Sequence, residues 1–238
     1  MKRNMLLTSL CLIAGIMLAV PQQSQAQMGI AVEQAMPDFT MTDIRGGEVT
    51  LSDLMGKRVL LIFPRGRVSD HWCQICHYQY MELVALEKKL RLRERYNLEI
   101  LFVLPYGEEG VKEWAGIFPE QMEVIEEWKN PPDPDNQSAG QRRWTETARS
   151  IFTQVFTFED NQEHLVFPIL VDDEAAVSKG LGLFRTEWGG SEVDQNVPTI
   201  FLLDGKGVVQ FKYHSQTTFD RPGPDYLVRV LETLVPGA

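Results

Sequence analysis

The sequence predicts an α/β fold with a mixed β-sheet. Two apolar runs, at residues 59–63 and 98–104, are typical of strands that are buried on both faces of a sheet. Between them, residues 73–96 repeat apolar side chains every three or four positions, which indicates an amphipathic helix. A strand, a helix and a strand of these lengths predict a right-handed βαβ unit with two parallel strands.

The remaining regular segments extend this sheet at both ends. Residues 37–51 alternate apolar and polar side chains around a glycine-rich turn, which predicts a hairpin, and residues 52–57 form a turn before the first buried strand. The second half of the chain contains a predicted strand at 167–172, a short helix at 174–180, two antiparallel strands at 197–204 and 208–213, and a final helix at 222–235.

Residues 106–165 interrupt the alternation of strands and helices. They predict helices at 111–128 and 141–158, separated by the proline-rich segment 130–136, which cannot form regular structure. This insertion carries three tryptophans, Trp114, Trp128 and Trp144. Two interpretations are open: the insertion packs its aromatic side chains on the core, or it forms a lid or partner-contact region beside the functional site.

The N-terminus has the pattern of a secretory signal. Lys2 and Arg3 give a basic start, an apolar run follows at 5–20, and small residues end at Ala26. The alternative is a membrane anchor, but Pro21 ends the run before it reaches the roughly 20 residues of a spanning helix. Cleavage after Ala26 is therefore the favoured interpretation.

The predicted organisation is a signal peptide at 1–26 and a single domain at 27–238, which includes the insertion at about 106–165. Export predicts a periplasmic or other extracytoplasmic location, with no stable membrane span after cleavage. Loss of Lys2 and Arg3 changes the net charge from −10 to −12. A protein this acidic is a poor ligand for nucleic-acid phosphates and anionic lipids, so we expect no nucleic-acid partner.

Cys73 and Cys76 are separated by two residues and lie between a buried strand and the first turn of a helix. Such a pair is either a dithiol that cycles with a disulfide or half of a metal site. Cys11 leaves with the signal peptide, so no further cysteine completes a metal site, and the four scattered histidines make a poor substitute. A purely structural disulfide would constrain little in so short a loop. We expect a redox centre without a metal or other cofactor.

The position of the pair indicates a role for each cysteine. Only the thiolate takes part in exchange, and a helix N-terminus lowers the pKa of a cysteine because unpaired N–H groups stabilise its negative charge. With the helix beginning at or just after Cys73, this residue is the predicted nucleophile, and Cys76 is the more buried resolving cysteine. His71 and His77 flank the motif and are candidates for tuning the thiolate electrostatically.

Two motifs together resemble the thioredoxin superfamily. One is Trp72 with the two cysteines after an apolar strand, and the other is Val197-Pro198-Thr199 at the start of a late strand. The resemblance implies a thioredoxin-like three-layer sandwich, in which a central mixed sheet is flanked by helices. It also implies a cis peptide bond before Pro198, beside the cysteines. Trp72, Val197 and Pro198 would then bind substrate, with the Val197 peptide pairing with an extended substrate backbone.

Residues 37–39 (Pro-Asp-Phe) and 56–63 resemble more specifically the AhpC/TSA or redoxin branch and the exported thioredoxin-like proteins of bacterial envelopes. The resemblance covers about 37–105 and 166–235 and leaves out the insertion.

Two departures from these families bear on the reaction. Peroxiredoxins place a proline and a threonine or serine at fixed spacing before the peroxidatic cysteine, and an arginine near the late strand. Here Pro64 and Ser69 have a different spacing, with 65–68 inserted, and the late strand carries no arginine. The buried acid of thioredoxins is also missing, so proton transfer would need another group, such as Glu82, Asp70 or water.

We therefore expect an exported thiol–disulfide oxidoreductase that exchanges with protein thiols or disulfides and with an upstream redox partner. One alternative is an AhpC/TSA-type thiol peroxidase, with Cys73 as the peroxidatic and Cys76 as the resolving cysteine. Another is a redox-inert thioredoxin-fold binding module that uses the aromatic insertion as its contact surface. The direction of electron flow depends on the relative stability of thiolate and disulfide, for which Gln74 and Ile75 are no reliable guide.

Overall fold

The computed structural model describes residues 29–158 and 164–235. The predicted signal peptide at 1–26 lies outside the described residues, so its cleavage stays a prediction. Within the described ranges, no helix is long and apolar enough to cross a membrane.

Short strands and helices alternate through most of the described chain. The strands are β1 (Thr40–Asp43), β2 (Glu48–Thr50), β3 (Arg58–Phe63), β4 (Arg67–Val68), β5 (His71–Trp72), β6 (Leu98–Leu104), β7 (Ile169–Val171), β8 (Phe184–Arg185), β9 (Gln195–Asn196), β10 (Thr199–Leu203) and β11 (Val209–His214). The α-helices are α1 (Gln74–Leu90), α2 (Leu92–Arg95), α3 (Glu108–Gly116), α4 (Phe118–Lys129), α5 (Ala139–Ile151), α6 (Ala176–Gly180) and α7 (Pro224–Leu234). Short 3₁₀ turns lie at Leu51–Leu54 and Asp173–Ala175.

Seven of the strands form one mixed sheet, in the order β11-β10-β3-β6-β7-β1-β2. β3 lies inside the sheet, parallel to β6 on one side and antiparallel to β10 on the other. The parallel pair is the predicted βαβ unit, and α1 is the main part of its crossover. The predicted mixed sheet is therefore confirmed.

Side chains of β3 alternate between two hydrophobic cores on opposite faces of the sheet. Leu60 and Ile62 belong to the core that includes residues of α1, the insertion and α7. Leu61 and Phe63 belong to the other core, which includes the N-terminal segment and Leu183. Because both faces are covered, the strand is buried from its second residue onward, and its sequence is continuously apolar. This arrangement confirms the predicted three-layer sandwich.

Two predicted helices are divided in the structure. The pattern at 73–96 corresponds to α1 and α2, which are separated at Arg91, a residue in the left-handed conformation with a φ of 52°. The pattern at 111–128 corresponds to α3 and α4. The second of these begins at Phe118 with Pro119 in its first turn, where the missing N–H of proline costs no hydrogen bond.

The last helix of the insertion starts and ends earlier than predicted. The pattern at 141–158 corresponds to α5, which covers Ala139–Ile151. The Ser138 hydroxyl accepts the N–H of Gln141 at 3.2 Å, and the Gln141 side chain accepts the N–H of Ser138 at 2.8 Å. This capping box sets the start of the helix. Phe152 is buried just after the end, so the apolar pattern continues where the helix does not.

The insertion packs on the core and also reaches the loop before the C-terminal helix. Trp114 of α3 is fully buried, with its ring centroid 5.9 Å from that of Tyr80 in α1. Trp144 of α5 lies 5.3 Å from the ring of Phe219, in the loop between β11 and α7. Trp114 therefore packs on the core as the first interpretation expects, and a role of the insertion as a lid or partner-contact region stays a prediction.

Two short hairpins were not predicted from the sequence. β4 pairs with β5 immediately before the cysteines, and β8 pairs with β9 immediately before Val197. Each strand has two residues, too few for a recognisable alternation of apolar and polar side chains. An isolated bridge between Gly66 and Gln195 joins the two regions.

Gly66 determines how closely the β4–β5 hairpin approaches the sheet. Its φ is +86°, and a Cβ at this position would lie 2.2 Å from the hydroxyl oxygen of Tyr106. That hydroxyl accepts the N–H of Arg67 at 2.7 Å and donates to the carbonyl of Asp194 at 2.8 Å. The tyrosine cannot move aside without losing both hydrogen bonds.

We predict that Gly66→Ala lowers the free energy of unfolding by about 1–3 kcal/mol more than Gly47→Ala does. Gly47 is the matched control, because its φ of +94° imposes a similar backbone cost while no atom lies within 4 Å of the position of a Cβ. Urea denaturation of both variants and the wild type measures the difference. Equal losses would contradict the collision with Tyr106.

Candidate redox site

Cys73 and Cys76 lie at the N-terminus of α1, as the sequence predicts. Cys73 directly precedes the helix, and its carbonyl accepts the backbone N–H groups of Cys76 at 3.1 Å and His77 at 3.3 Å. The N–H of Cys73 donates to the carbonyl of Gly66 at 2.9 Å, which ties the motif to the β4–β5 hairpin. Both thiols are free, and Cys73 and Cys76 are only 3% and 0% exposed.

The buried guanidinium of Arg65 belongs to the surroundings of this pair. The backbone N–H of Arg65 donates to Sγ of Cys76 at 3.3 Å. The side chain donates from Nε to Oε1 of Gln195 at 2.7 Å, and from Nη2 to the carbonyl of Trp188 at 2.8 Å and to Oγ of Ser191 at 3.1 Å. All three partners are neutral, so they hold the cation in place without cancelling its charge.

Arg221 supplies a second positive charge from the loop between β11 and α7. Its side chain is 8% exposed. Nη1 donates to Oγ of Ser215 at 3.1 Å and to the carbonyl of Asp220 at 3.2 Å. Nε and Nη2 have no hydrogen-bond partner among the described residues. The guanidinium lies close enough for its charge to act on both cysteines.

These surroundings shift the pKa values of the two cysteines in opposite directions. Burial raises the pKa of Cys76, but the hydrogen bond from Cys73, the charge of Arg221 and the N–H of Arg65 outweigh burial and lower this pKa to about 6. Burial and the interaction with Cys76 raise the pKa of Cys73 well above its usual range. The predicted low pKa of Cys73 is therefore wrong, because burial and the neighbouring Cys76 outweigh the helix N-terminus. The roles of nucleophile and resolving cysteine stay predictions.

Arg65 and Arg221 were not among the residues predicted from the sequence. Arg65 had one local signal, a charged residue placed almost directly after a fully apolar strand. Arg221 lies in a polar loop and had none. Only the folded chain shows that both surround the cysteines.

Trp72 is buried rather than displayed on a substrate-binding surface. It is 3% exposed, and the guanidinium carbon of Arg67 lies 4.0 Å from the centroid of its ring. Its Nε1 donates to Oε1 of Glu113 in α3 at 2.9 Å, and Arg67 pairs with the same carboxylate at 2.7 Å. Contact of Trp72 with a substrate stays a prediction, and it requires Arg67 and Glu113 to move.

The Val197-Pro198 segment differs from the expected substrate groove. All peptide bonds of the described residues are trans, so the predicted cis bond before Pro198 is wrong. The N–H of Val197 donates to the carbonyl of Leu183 at 2.8 Å, and the carbonyl of Pro198 accepts the N–H of Ser215 at 2.9 Å. The chain itself thus uses the backbone group expected to pair with substrate. Substrate binding at Val197 and Pro198 stays a prediction that requires these bonds to open.

The two acids considered for proton transfer have other surroundings. The side chain of Asp70 is 97% exposed and its carboxylate lies 3.2 Å from Nδ1 of His71. Glu82 lies further along α1, where it faces Asp225 at the start of α7. These contacts give no support to proton transfer by either acid.

His77 is fully buried directly after the pair. Its Nδ1 lies 3.0 Å from the carbonyl oxygen of Cys73, and its Nε2 lies 3.0 Å from the carbonyl oxygen of Trp114. Burial lowers the pKa of His77 to about 4, so the ring is neutral near pH 7. The histidine connects the start of α1 to α3 through these two contacts. Because it is neutral, it does not supply a positive charge that could tune the thiolate.

The spacing of Cys73, Cys76 and His77 is also that of covalent haem attachment. The residues do not fit this role. The ring of His77 is stacked on Trp114 at 4.5 Å and lies against Phe118 at 4.7 Å, with no exposed surface for binding iron. Among residues 29–158 and 164–235, no three His, Cys, Asp or Glu side chains are grouped so that they could hold a metal ion.

The Glu82–Asp225 contact predicts a pH-dependent stability. Burial and the Asp225 carboxylate raise the pKa of Glu82 from 4.5 to about 7. The folded protein therefore binds this proton more tightly than the unfolded chain, and the contribution of Glu82 to stability is lost as the pH rises from 4.5 through 7. The lowered pKa of His77 makes stability depend on pH in the opposite sense. That contribution is the same in the wild type and in variants of Glu82, so it cancels when they are compared.

We predict that Glu82→Gln raises the free energy of unfolding at pH 8 by about 1–3 kcal/mol, with little change at pH 4.5. The neutral amide removes the ionisation that destabilises the folded state. Urea denaturation of wild type and variant at the two pH values measures the effect. A variant that is no more stable than wild type at pH 8 would contradict a buried Glu82 carboxyl with a raised pKa.

The comparisons with known proteins agree with this geometry. Residues 32–117 match the AhpC/TSA family. The thioredoxin-like protein YneN of Bacillus subtilis is 26% identical over 190 residues, which cover 79% of this chain and 74% of that protein. The reduced 2-Cys peroxiredoxin of Plasmodium vivax is 18% identical, with a TM-score of 0.51, covering 86% of this chain and 96% of that chain. AhpC of Mycobacterium tuberculosis is 15% identical, with a TM-score of 0.53, covering 86% and 98%.

The order of the strands and the likeness to these structures show a thioredoxin-like fold, with the two free cysteines at the start of its first long helix. The match to the AhpC/TSA family spans residues 32–117, and the similarity to a thioredoxin-like protein extends over 79% of the chain.

Proposed function

We propose that the protein is an exported thiol–disulfide oxidoreductase in which Cys73 and Cys76 alternate between a dithiol and a disulfide. Its substrates are thiols and disulfides of other proteins, and an upstream redox partner restores the pair after each turnover. The observation that carries the proposal is the position of the two cysteines one turn apart at the start of α1, with two guanidinium groups acting on them. Such surroundings stabilise a thiolate, the reactive form in exchange.

Cys73 is the proposed point of contact with substrate. It precedes α1, whereas Sγ of Cys76 accepts the N–H of Arg65 from inside the fold. A substrate sulfur forms a mixed disulfide with Cys73, and Cys76 either displaces the substrate or leaves as a thiolate. One S–S bond breaks for each that forms. Because both cysteines are buried, segments around the site must move before a polypeptide reaches Cys73.

Two observations favour a second candidate, a thiol peroxidase. They are the AhpC/TSA match and the unpartnered N–H groups of Arg221 near the thiols. In this reaction Cys73 attacks a peroxide to form a sulfenic acid, and Cys76 condenses with it to a disulfide with release of water. Pro64 and Ser69 do not have the spacing before Cys73 that peroxiredoxins share. We therefore rank the peroxidase below the exchange reaction.

Two single-cysteine variants test the exchange reaction, with a peptide disulfide as the probe. We predict that Cys76→Ser accumulates a mixed disulfide through Cys73, because the resolving thiol is missing. Cys73→Ser should form about tenfold less, because its remaining thiol lies inside the fold. Wild type should hold the mixed disulfide only transiently. Mass spectrometry of the intact, non-reduced proteins measures each product.

Other products would contradict the exchange reaction. A sulfenic acid on Cys73 after one equivalent of hydrogen peroxide, without any mixed disulfide, would identify the peroxidase. Failure of both cysteines to react with either probe would identify a redox-inert binding module.

Export is proposed on the basic start at Lys2 and Arg3, the apolar run at 5–20 and the small residues before Gln27. In a bacterial host, the secreted protein should begin at Gln27, as determined by mass spectrometry of its N-terminal peptide. Retention of the uncleaved chain inside the cell would contradict the proposal.

A further inference from the structure

Arg65 has no acidic partner of its own. It is 3% exposed, it forms no ion pair within the described part of the chain, and its side chain donates only to neutral oxygens of Gln195, Trp188 and Ser191. Burial lowers the pKa of Arg65, whereas the two cysteines act to raise it. The sulfurs are therefore groups that can supply this cation with a negative charge.

Arg221 is only weakly neutralised. The carboxylate of Asp220 lies 3.9 Å from its Nη1. That carboxylate already accepts the backbone N–H groups of Gln216 at 2.7 Å and Thr217 at 3.1 Å. The site therefore combines two poorly compensated positive charges with two sulfurs.

We propose that the Cys73–Cys76 disulfide is an oxidant whose substrates are reduced dithiols of exported polypeptides. The inference rests on the proposed function and adds its direction. A disulfide is uncharged, so the oxidised pair leaves Arg65 without a counter-ion and Arg221 with only the carboxylate of Asp220 at 3.9 Å, whereas the reduced pair supplies a thiolate. Since an unpaired buried charge is costly, the two cations favour the reduced state. A disulfide whose reduced form is stabilised takes electrons readily from other dithiols.

The different pKa values of the two cysteines favour transfer of electrons from the substrate to the disulfide. A substrate thiolate attacks Sγ of Cys73, the S–S bond breaks, and Cys76 leaves as a thiolate. The lowered pKa of Cys76 makes it a good leaving group. In the opposite direction Cys73 would be the nucleophile, and its raised pKa slows that attack by keeping most of the thiol protonated near pH 7.

The remaining steps complete the transfer of two electrons. The second substrate thiol loses its proton and attacks the substrate sulfur of the mixed disulfide, which releases Cys73. Cys73 takes up a proton, Cys76 remains a thiolate, and the substrate leaves as a disulfide. A low-molecular-weight disulfide, itself reduced to two thiols, then returns the pair to the oxidised form by the same exchange.

The expected size of the effect follows from Cys76. Lowering its pKa from 9.0 to about 6 stabilises the reduced pair about tenfold at pH 7, relative to a pair with an unshifted thiol. This factor is large enough to measure against a reference dithiol.

Direct equilibration with thioredoxin tests the proposal. The oxidised protein is mixed with reduced thioredoxin at pH 7, the thiols are trapped by acid and alkylated, and the oxidised and reduced forms are separated by mass. We expect an equilibrium constant of at least about 5 in favour of oxidised thioredoxin, because the reactive thiol of thioredoxin has a pKa of about 7 and is itself half ionised at pH 7. A constant of 1 or less would overturn the direction. A pair that exchanges with neither thioredoxin nor glutathione would overturn the proposed function as well.

Three variants isolate the contribution of charge. Arg221→Met removes the cation and should lower the equilibrium constant at least about threefold, whereas Arg221→Lys keeps the charge and should stay within about twofold of wild type. Arg229→Met is the matched control, because it removes an exposed charge from α7 and should leave the constant unchanged. Equal constants for the Met and Lys variants at 221 would overturn the electrostatic cause, and the wild-type constant tests the direction even where a variant fails to fold.

Discussion

The redox site combines two buried thiols with two poorly compensated guanidinium groups, whose positive charge favours ionisation of the pair. The sulfurs come from the start of α1, Arg65 comes from the segment between β3 and β4, and Arg221 comes from the loop before α7. A guanidinium held away from water is costly without a negative partner. The convergence of these three segments therefore favours ionisation of the pair, and the charge on Cys76 in turn favours their convergence.

The segments that separate this chain from the expected family pattern are those that shape its site. Residues 65–68, which lie outside the peroxiredoxin spacing, include Arg65 and the first strand of the hairpin beside the cysteines. The insertion contributes Glu113, whose carboxylate holds the indole N–H of Trp72. It also contributes Trp144, which packs on Phe219 in the loop that carries the second arginine. The insertion is thus joined to two sides of the redox site, in addition to packing on the core.

The fold was largely predictable because the periodicity of apolar side chains is a local property of the sequence. The proximity of Cys73 and Cys76 was predictable for the same reason, since the two residues are one helix turn apart. Arg65 and Arg221 were not, because only the order of the strands brings them together. The order of the two cysteine pKa values was predicted wrongly, since burial, the interaction between the two thiols and the charge of Arg221 decide it. Likewise, the motif at Val197 did not reveal that the N–H of Val197 already donates to a carbonyl of the same chain, that of Leu183.

The central claim is that the reduced pair ionises at Cys76. Titration of the reduced protein by NMR, with ¹³C at the cysteine Cβ atoms, tests this claim directly because it follows each thiol separately. Single substitutions to serine assign the two signals. We predict a change in the Cβ shift of Cys76 with a midpoint at about pH 6, while Cys73 stays protonated well above its usual pKa. Ionisation of Cys73 first, or of both thiols near their ordinary pKa, would contradict it.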